Sequence, residues 1–464
     1  NALKFAPQEW EAHYQTGRYY MSKGAHREAE QHLARAVDLH QGHAGARFDY
    51  GSLLLELGKP AASLAQLNSA LEKEPNNARY LATAAYALCL TGNQKRGLQN
   101  ISVALGKSTS DAQVLYWAGR VYYQVGKKEQ ARQGFDDALS IDPSFAPCFE
   151  ALGDISMEEL KFKDAARNYF RSWEKGGYNE RRAFKLGSAL TYDRKFVEAR
   201  DFYEAVVKRN PGFSEAVYRL VEVHCELKEL EKARALLKNF KKDGSPWMQL
   251  AQGKIYETEN NTEAAMVAYT IAGRIDPENP HYLAGLGHTY LKQKKTQEAI
   301  EALSMASASD QLNMQLLIDL GRAFQGSGDA ESAFLYYQEV EKRCPEHPDV
   351  YKLMADVKSE QKMHRDAAKI CERGLKYHPD DPDLLYKLGL ELELAGEYES
   401  AVKAFQNALK KGKGAPVEAL RHIGNIYYVK IVNSKKAREF FKRYVRAGGE
   451  SPEVSEAMKK LEGI

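Results

Sequence analysis

The sequence has few of the motifs on which metal sites and nucleotide sites are built. Its cysteines are widely spaced, and no two of them form a CxxC or CxxxC motif; they are Cys89, Cys148, Cys225, Cys344 and Cys371. This spacing argues against a structural zinc site, and we expect buried, free thiols. A GxxxxGK[ST] phosphate-binding loop and an Asp-rich calcium loop are absent too. We therefore expect no metal and no cofactor.

Long hydrophobic runs are also absent. No stretch of 18 apolar residues occurs, so we expect no transmembrane helix. The start, NALKFAPQEW, lacks the charged-then-apolar pattern of a signal peptide. Because the first residue is Asn1 and not Met, we expect that a preceding segment was removed, which leaves open a signal or an anchor. Free thiols favour a reducing, cytoplasmic compartment, whereas a removed signal would place the chain outside the cytoplasm.

Charge is balanced over the whole chain but not locally. The 66 Lys and Arg residues against 63 Asp and Glu residues give a net charge of +3. Residues 410–446 alone hold eleven Lys and Arg residues against Glu418 and Glu439, a local charge of +9. The rest of the chain therefore sums to −6. Such asymmetry indicates a basic surface near the C-terminal end.

A repeated pattern of small and apolar residues runs through the chain, and it is clearest in residues 112–145. This segment reads as two short amphipathic helices, separated at Gly126 and closed by Asp142-Pro143. The apolar positions at helical spacing are Leu115, Ala118, Gly119 and Tyr122 in the first helix and Ala131, Phe135 and Ala138 in the second. We expect Gly119 and Ala131 to lie where the two helices cross most closely, because a larger side chain would push them apart.

The small residue at Gly119 recurs along the chain at steps of 34 residues, with one step of 32 and one of 35. The thirteen positions are Gly17, Gly51, Ala85, Gly119, Gly153, Gly187, Val221, Gly253, Gly287, Gly321, Ala355, Gly389 and Gly424. A second small residue follows twelve residues after each of the first twelve positions. Thirteen units in phase predict an array of helix pairs.

This pattern resembles the tetratricopeptide repeat, in which small, aromatic and proline residues stand at fixed offsets. The resemblance covers about residues 10–449. It implies an all-α solenoid, a right-handed superhelix of about thirteen helix-turn-helix repeats. Residues 1–9 would form a leader, and residues 450–464 a C-terminal capping helix with a thin apolar stripe of Val454, Met458 and Leu461.

Repeat 7 departs most from the pattern. Val221 replaces the small residue, His224 takes the tyrosine position, and the closing loop KKDGSP is short. We expect a change of the stacking angle at this repeat.

In this family the first helix of each repeat lines a concave groove, which implies that its second, fifth, ninth, twelfth and thirteenth positions face that groove. An aromatic zone in repeats 1–4 holds Tyr14, Arg18, Phe48, Tyr86, Tyr116, Arg120 and Tyr123. An acidic zone with aromatic residues in repeats 5–7 holds Glu150, Asp154, Phe184, Tyr192 and Tyr218. A basic zone in repeats 8–10 holds Trp247, Lys254, His281, His288 and Arg322. Repeats 11 and 12 return to acidic residues.

Three functions are compatible with these surfaces. The first is a non-enzymatic scaffold whose groove binds an extended or helical segment of another protein within a larger assembly, because Tyr and Arg are typical of interfaces. The second is docking to an anionic polymer or surface through residues 410–446, where Lys435, Arg438, Lys442 and Arg446 form an outward stripe. The third is a self-associating structural element. The plain alternative is that the groove residues only keep the surface hydrated.

Catalysis is not expected, because no Ser/His/Asp or Cys/His arrangement can be assembled by spacing. We therefore expect no small-molecule substrate. His281 and His288 share one helix face, but the sequence offers no further metal ligands for them, so we expect solvated histidines. The paired Asn residues of the tetratricopeptide grooves that clamp a C-terminal carboxylate are absent too, since only Asn425 stands at such a position.

Overall fold

The computed structural model describes residues 9–240, 244–411 and 416–462. Most of the expected leader, residues 241–243 of the KKDGSP loop and Lys413 of the basic stretch lie outside the described residues. Every regular element among the described residues is a helix. This confirms the all-α prediction.

The chain forms 27 described α-helices. They are α1 (Trp10–Ser22), α2 (His26–Leu39), α3 (Ala44–Glu56), α4 (Pro60–Lys73), α5 (Ala78–Leu90), α6 (Gln94–Lys107), α7 (Ala112–Gln124), α8 (Lys128–Ile141), α9 (Ala146–Glu158), α10 (Phe162–Gly176), α11 (Glu180–Tyr192), α12 (Phe196–Arg209), α13 (Ser214–Glu226), α14 (Leu230–Asn239), α15 (Pro246–Thr258), α16 (Thr262–Ile275), α17 (Pro280–Lys292), α18 (Thr296–Ser309), α19 (Met314–Gly326), α20 (Ala330–Arg343), α21 (Val350–Glu360), α22 (His364–Leu375), α23 (Pro382–Leu394), α24 (Tyr398–Lys411), α25 (Glu418–Asn425), α26 (Ser434–Arg446) and α27 (Pro452–Glu462). A π-helical turn, Ile426–Lys430, continues α25.

Helices α1 to α26 form thirteen consecutive pairs, in which the odd-numbered helix is the first and the even-numbered helix is the second. In the pairs other than pair 7, contacts run between the two helices, and contacts also run between neighbouring pairs. Helix α27 packs against α26 after the last pair, and its Val454 and Ala457 side chains are buried. The fold is that of a tetratricopeptide-type solenoid, in which each pair buries its apolar faces against its neighbours.

In most pairs an apolar side chain of the second helix lies on a small residue of the first. In pair 4 a Cβ atom added to Gly119 would come within 2.5 Å of Phe135 Cε1. In pair 5 a Cβ atom on Gly153 would meet the Tyr169 ring at the same distance. The prediction that the helices cross most closely at Gly119 is confirmed.

The structure divides into two compact units, Asn1–Leu227 and Lys228–Ile464, which we call the first and second unit. The division falls between α13 and α14, within pair 7, where the sequence departs most from the repeat pattern. Helix α14 has only 10 residues, whereas α12 and α16 have 14. In α13, Val221 and His224 are both buried.

The cysteines lie in or next to the helices, and none of those described forms a disulfide. Cys89, Cys148, Cys225 and Cys371 are buried, and Cys344 is partly exposed. Burial raises the pKa of the Cys148 and Cys371 thiols to about 12. These two groups are therefore protonated and unreactive near neutral pH. The expectation of buried, free thiols is confirmed for all but Cys344.

Adding one methyl group to Gly119 should destabilise the chain, whereas adding it to Gly106 should not. In Gly119→Ala the new Cβ has to displace the Phe135 ring, at an expected cost of about 1–3 kcal/mol. Gly106 lies in α6 with open space around its Cα, so Gly106→Ala gains helix propensity and should be neutral or slightly stabilising. Urea unfolding followed by circular dichroism compares the two variants. Equal shifts of their midpoints would contradict this account of the helix crossing.

Candidate functional site

The first helices of the pairs form one side of each unit. Among the described residues, several first helices contact the first helix of the next pair, and the second helices of neighbouring pairs approach each other less closely. The closer approach places the first helices on the inside of the curve within each unit. We call the side chains on this side the inner face.

Polar side chains of the inner face bind one another across neighbouring pairs. In the first unit the Tyr14 hydroxyl donates to Asp49 Oδ2 over 2.8 Å, from pair 1 to pair 2. In the second unit Lys387 Nζ lies 2.7 Å from Asp356 Oδ1, from pair 12 to pair 11. We call this set of contacts, between residues about one repeat apart, the inner ladder. These contacts fix the first helix of one pair against the first helix of the next pair.

The predicted acidic zone is partly neutralised by the inner ladder. Lys185 Nζ lies 2.7 Å from Asp154 Oδ1 and 2.9 Å from Glu150 Oε1, and Arg182 Nε is 3.3 Å from Glu150 Oε2. Burial acts to raise the pKa of Glu150, but the charge of Lys185 and the neighbouring arginines outweighs it and lowers the pKa. Lys185 lies two residues before Gly187, a position that the family geometry does not assign to the groove. The expectation of an acidic zone is therefore corrected, because Lys185 and Arg182 offset the charges of Glu150 and Asp154.

The predicted basic zone contains a buried carboxylate that the sequence reading missed. His288 Nε2 lies 2.6 Å from Asp319 Oδ2, and Arg322 Nη1 lies 3.1 Å from Asp319 Oδ1. The Asp319 residue is only 4% exposed. Like Lys185, it stands two residues before the small residue of its pair, here Gly321. His288 is therefore paired and partly buried, which corrects the expectation of a solvated histidine.

Lys254 and Trp247 also make contacts within the second unit. Lys254 Nζ lies 3.8 Å from Glu257 Oε1. The Trp247 ring lies 5.5 Å from the His281 ring, measured between centroids. Carboxylates of pairs 8 and 10 therefore balance part of the positive charge of the basic zone.

The aromatic zone is organised around Arg120. Its Nη1 atom donates to the Tyr116 hydroxyl over 2.9 Å, and its Nη2 atom donates to the Tyr86 hydroxyl of the preceding pair. The guanidinium carbon also lies over the Tyr86 ring, 4.6 Å from its centroid. Tyr86 is 8% exposed, and burial raises the pKa of Tyr116. No carboxylate of the described residues lies within 4.0 Å of the Arg120 side chain.

The other aromatic residues of the inner face are also in contact with their own chain. Phe48 stacks on Tyr80 at 4.7 Å between ring centroids, and Tyr192 stacks on Phe162 at 5.0 Å. The remaining contacts pair Arg18 with Asp49 at 3.5 Å, Tyr123 with Glu158, Phe184 with Phe213 at 4.9 Å between centroids, and Tyr218 with Glu222 at 2.6 Å. These aromatic and charged side chains therefore stabilise the inner face as well as covering it.

The basic stripe lies on α26 near the end of the described chain. Lys435, Arg438, Lys442 and Arg446 are exposed, whereas Ala437, Phe441 and Tyr444 are buried on the opposite side of the helix. Arg438 donates to the carbonyl of Leu461 in α27. The stripe thus points away from the core, and one of its members binds the last helix.

Within residues 9–240, 244–411 and 416–462, no three His, Cys, Asp or Glu side chains are grouped so that they could hold a metal ion. In the same part of the chain, no helix has the length and apolar character that crossing a membrane requires.

Deprotonation of His288 should loosen α17 and α19. Burial acts to lower the pKa of His288, but the charge and hydrogen bond of Asp319 and the charge of Glu257 outweigh it, so the pKa is raised. The stabilisation is then complete below the ordinary histidine pKa of about 6.5 and is lost as pH rises through the raised value. Hydrogen-exchange protection factors of α17 and α19 are measured from pH 6 to 9. The free energy of local opening that they report should fall by about 1 kcal/mol over this range.

Two variants control this pH experiment. His288→Gln keeps a hydrogen-bond donor but takes up no proton, so it should lack the pH-dependent step. His378→Gln should retain the step, because no carboxylate of the described residues lies within 4.0 Å of that imidazole, which bonds the carbonyl of Glu346. Identical profiles for the parent chain and His288→Gln would contradict the pairing.

Known proteins share the repeat but cover this chain unevenly. Tetratricopeptide repeat protein 6 of Homo sapiens is 28% identical over 174 residues, which are 36% of this chain and 33% of that protein. The CTR9 homolog of Arabidopsis thaliana is 25% identical over 340 residues, 67% of this chain and 30% of that protein. BBSome complex member BBS4 of Bos taurus is 27% identical over 210 residues, 45% of this chain and 40% of that protein. The chain thus spans less than half the length of these relatives.

Among solved structures, the crystal structure of the APC/C hetero-tetramer Cut9-Hcn1 aligns with 99% of this chain and 98% of that chain. The TM-score is 0.49 and the sequence identity is 14%. Sequence models described as tetratricopeptide repeat match residues 20–86, 112–145, 190–243, 284–348, 353–416 and 386–452. These matches cover most of the chain, and they include residues 112–145, where the repeated pattern is clearest. The protein belongs to the tetratricopeptide repeat family.

Proposed function

We propose that this protein is a non-enzymatic scaffold that binds an extended, carboxylate-bearing segment of a partner protein on the inner face of its first unit. Proteins of this family are generally scaffolds for protein interactions. The similarity to BBS4, whose name describes it as a member of a complex, supports a role within a larger assembly. The choice of the first unit rests on Arg120.

Arg120 differs from the cations that pair within the inner ladder. Lys185 and Lys387 each lie within 3.0 Å of a carboxylate oxygen, whereas Arg120 bonds only two tyrosine hydroxyls. A guanidinium has five N–H donors, so some of its donors have no acceptor among the described residues. A partly buried charge without a counter-charge costs free energy. A carboxylate from a partner would supply that counter-charge through two parallel hydrogen bonds.

The surroundings of Arg120 favour a segment with an acidic residue between apolar ones. Tyr86 and Tyr116 hold the guanidinium in place, so little side-chain freedom is lost on binding. The nearby carboxylates already have cationic partners, since Glu150 binds Lys185 and Glu158 lies 2.9 Å from Lys128. They therefore repel an incoming carboxylate less than their formal charge suggests.

Successive first helices of the first unit lie side by side along the inner face. An extended segment can follow them from one pair to the next, which favours such a segment over a folded domain.

Arg120→Gln should weaken the binding of acidic peptides to the intact chain. Peptides are selected from a random display library, and their affinities are measured by calorimetry. We expect selected peptides to carry Asp or Glu beside apolar residues, and Arg120→Gln to lower affinity by about tenfold or more, since a hydrogen bond to a charged group contributes roughly 1.5–3 kcal/mol.

The matched control is Arg96→Gln, which removes an exposed arginine of the second helix α6. It should leave the affinity unchanged. Thermal unfolding of both variants separates a binding defect from a folding defect. The proposal is wrong if peptides are selected without a preference for acidic residues, or if they bind Arg120→Gln as tightly as the parent chain.

A further inference from the structure

Helix α16, the second helix of pair 8, exposes an apolar stripe. Val267 is 60% exposed, Ile271 is 38% exposed and Ile275 is 46% exposed. Their spacing of four residues places them on one side of the helix. The buried residues Ala265, Ala268, Tyr269 and Ala272 form the neighbouring side of the helix. The stripe is therefore separate from the packing that holds pair 8 together.

The other pairs of the same chain show what these positions usually carry. The stripe residues lie two, six and ten residues after Ala265, the small residue of the second helix. The equivalent positions hold Arg167, Arg171 and Lys175 in α10. They hold Lys369 and Arg373 in α22, and Tyr377 just after that helix. In no other pair are all three apolar. Val and Ile are also weaker helix formers than Lys or Arg, so the folding of α16 does not explain their presence.

Exposed apolar side chains continue onto the next two second helices. Met305 in α18 stands at the position equivalent to Ile271, and Leu335 in α20 stands at the position equivalent to Val267. Each of the two residues is 59% exposed. Exposed apolar side chains that recur at equivalent positions of successive helices are typical of a contact site.

Two opposite charges flank the stripe on the same side of α16. Glu263 lies one turn before Val267, and Arg274 lies next to Ile275; both are exposed. Neither makes a salt bridge within 4.0 Å to any described residue. They are eleven residues apart, which is about 16 Å along a helix, so they do not pair with each other.

This arrangement is complementary to itself. In an antiparallel helix pair around a two-fold axis, residues face each other when their numbers have a constant sum. In one such register Val267 of one copy faces Ile271 of the second copy, and Glu263 faces Ile275. Glu263 therefore lies beside Arg274 of the second copy. We infer that two copies of this chain associate through α16 in this antiparallel register.

The self-complementarity distinguishes a second copy from other occupants. A two-fold contact uses the same patch on both copies, and each Glu263 then meets an Arg274 that makes no salt bridge to the described residues of its own chain. A lipid surface would leave Glu263 facing anionic headgroups without a partner. Stable interfaces bury about 800 Å² per partner, whereas this contact is centred on a single helix. We therefore expect association in the micromolar range.

Sedimentation velocity of the 464-residue chain from about 1 to 100 μM tests the inference. The mass should rise with concentration from 52.2 kDa towards twice that value. Val267→Arg combined with Ile271→Arg places at these positions the residue type found in α10, and it should keep the chain monomeric throughout. Val103→Arg is the matched control, because Val103 is a half-exposed residue at the position of α6 equivalent to Ile271. It should leave association unchanged.

Charge reversal tests the register. Glu263→Lys alone and Arg274→Glu alone should each weaken association about fivefold or more, because each creates two like-charge contacts. The double reversal should restore it. A chain that stays monomeric at every concentration overturns the inference, and so does a double reversal that associates no better than the single ones. Neither outcome bears on peptide binding at Arg120, which lies in the first unit.

Discussion

The fold depends on the close approach of two helices at one small residue. Where the Phe135 ring lies on the bare Cα of Gly119, the two helices of a pair cross at a distance that a larger residue would not permit. The same contact recurs in most pairs, for example between Gly253 and Tyr269 and between Gly389 and Phe405. Each pair therefore presents nearly the same faces to the next. The inner ladder follows from this regularity, because residues about one repeat apart come side by side.

The inner ladder changes how the charged residues of the inner face are interpreted. Asp319 and Glu391 are almost fully buried, and each lies against a histidine as well as a longer cation. Removing one partner from such a group leaves an uncompensated charge, which is more costly than losing a surface salt bridge. Most inner-face charges thus hold the pairs in register. Arg120 and the stripe on α16 stand out because they depart from the pattern that the rest of the chain follows.

The sequence predicted the fold well because the packing residues recur at a fixed spacing. One small residue every 34 positions specifies both helices and their crossing, and thirteen copies in phase leave little ambiguity. The candidate site was harder, since the partners of its residues lie in the next pair. Lys185 and Asp319 were missed because they stand two residues before the small residue, outside the positions assigned to the groove. A charge at that edge of an amphipathic helix is a signal that could have revealed them.

Other features were missed for different reasons. The π-helical turn after Asn425 and the positive φ of Val432 (55°) follow no repeated pattern, so no spacing indicates them. The stripe on α16 does not follow from the spacing of the packing residues, because it lies at exposed positions of the second helix. Its signal in the sequence is that Val267, Ile271 and Ile275 are all apolar, which is true of these positions in no other pair.

The central claim is that charges of the inner face join neighbouring helix pairs. A double-mutant cycle on Lys185 and Asp154, which lie in pairs 6 and 5, tests it most directly. The free energy of unfolding is measured for the parent chain, Lys185→Met, Asp154→Asn and the double variant. We predict a coupling energy of about 1 kcal/mol or more between the two side chains. Additive effects, with coupling below about 0.3 kcal/mol, would contradict the claim.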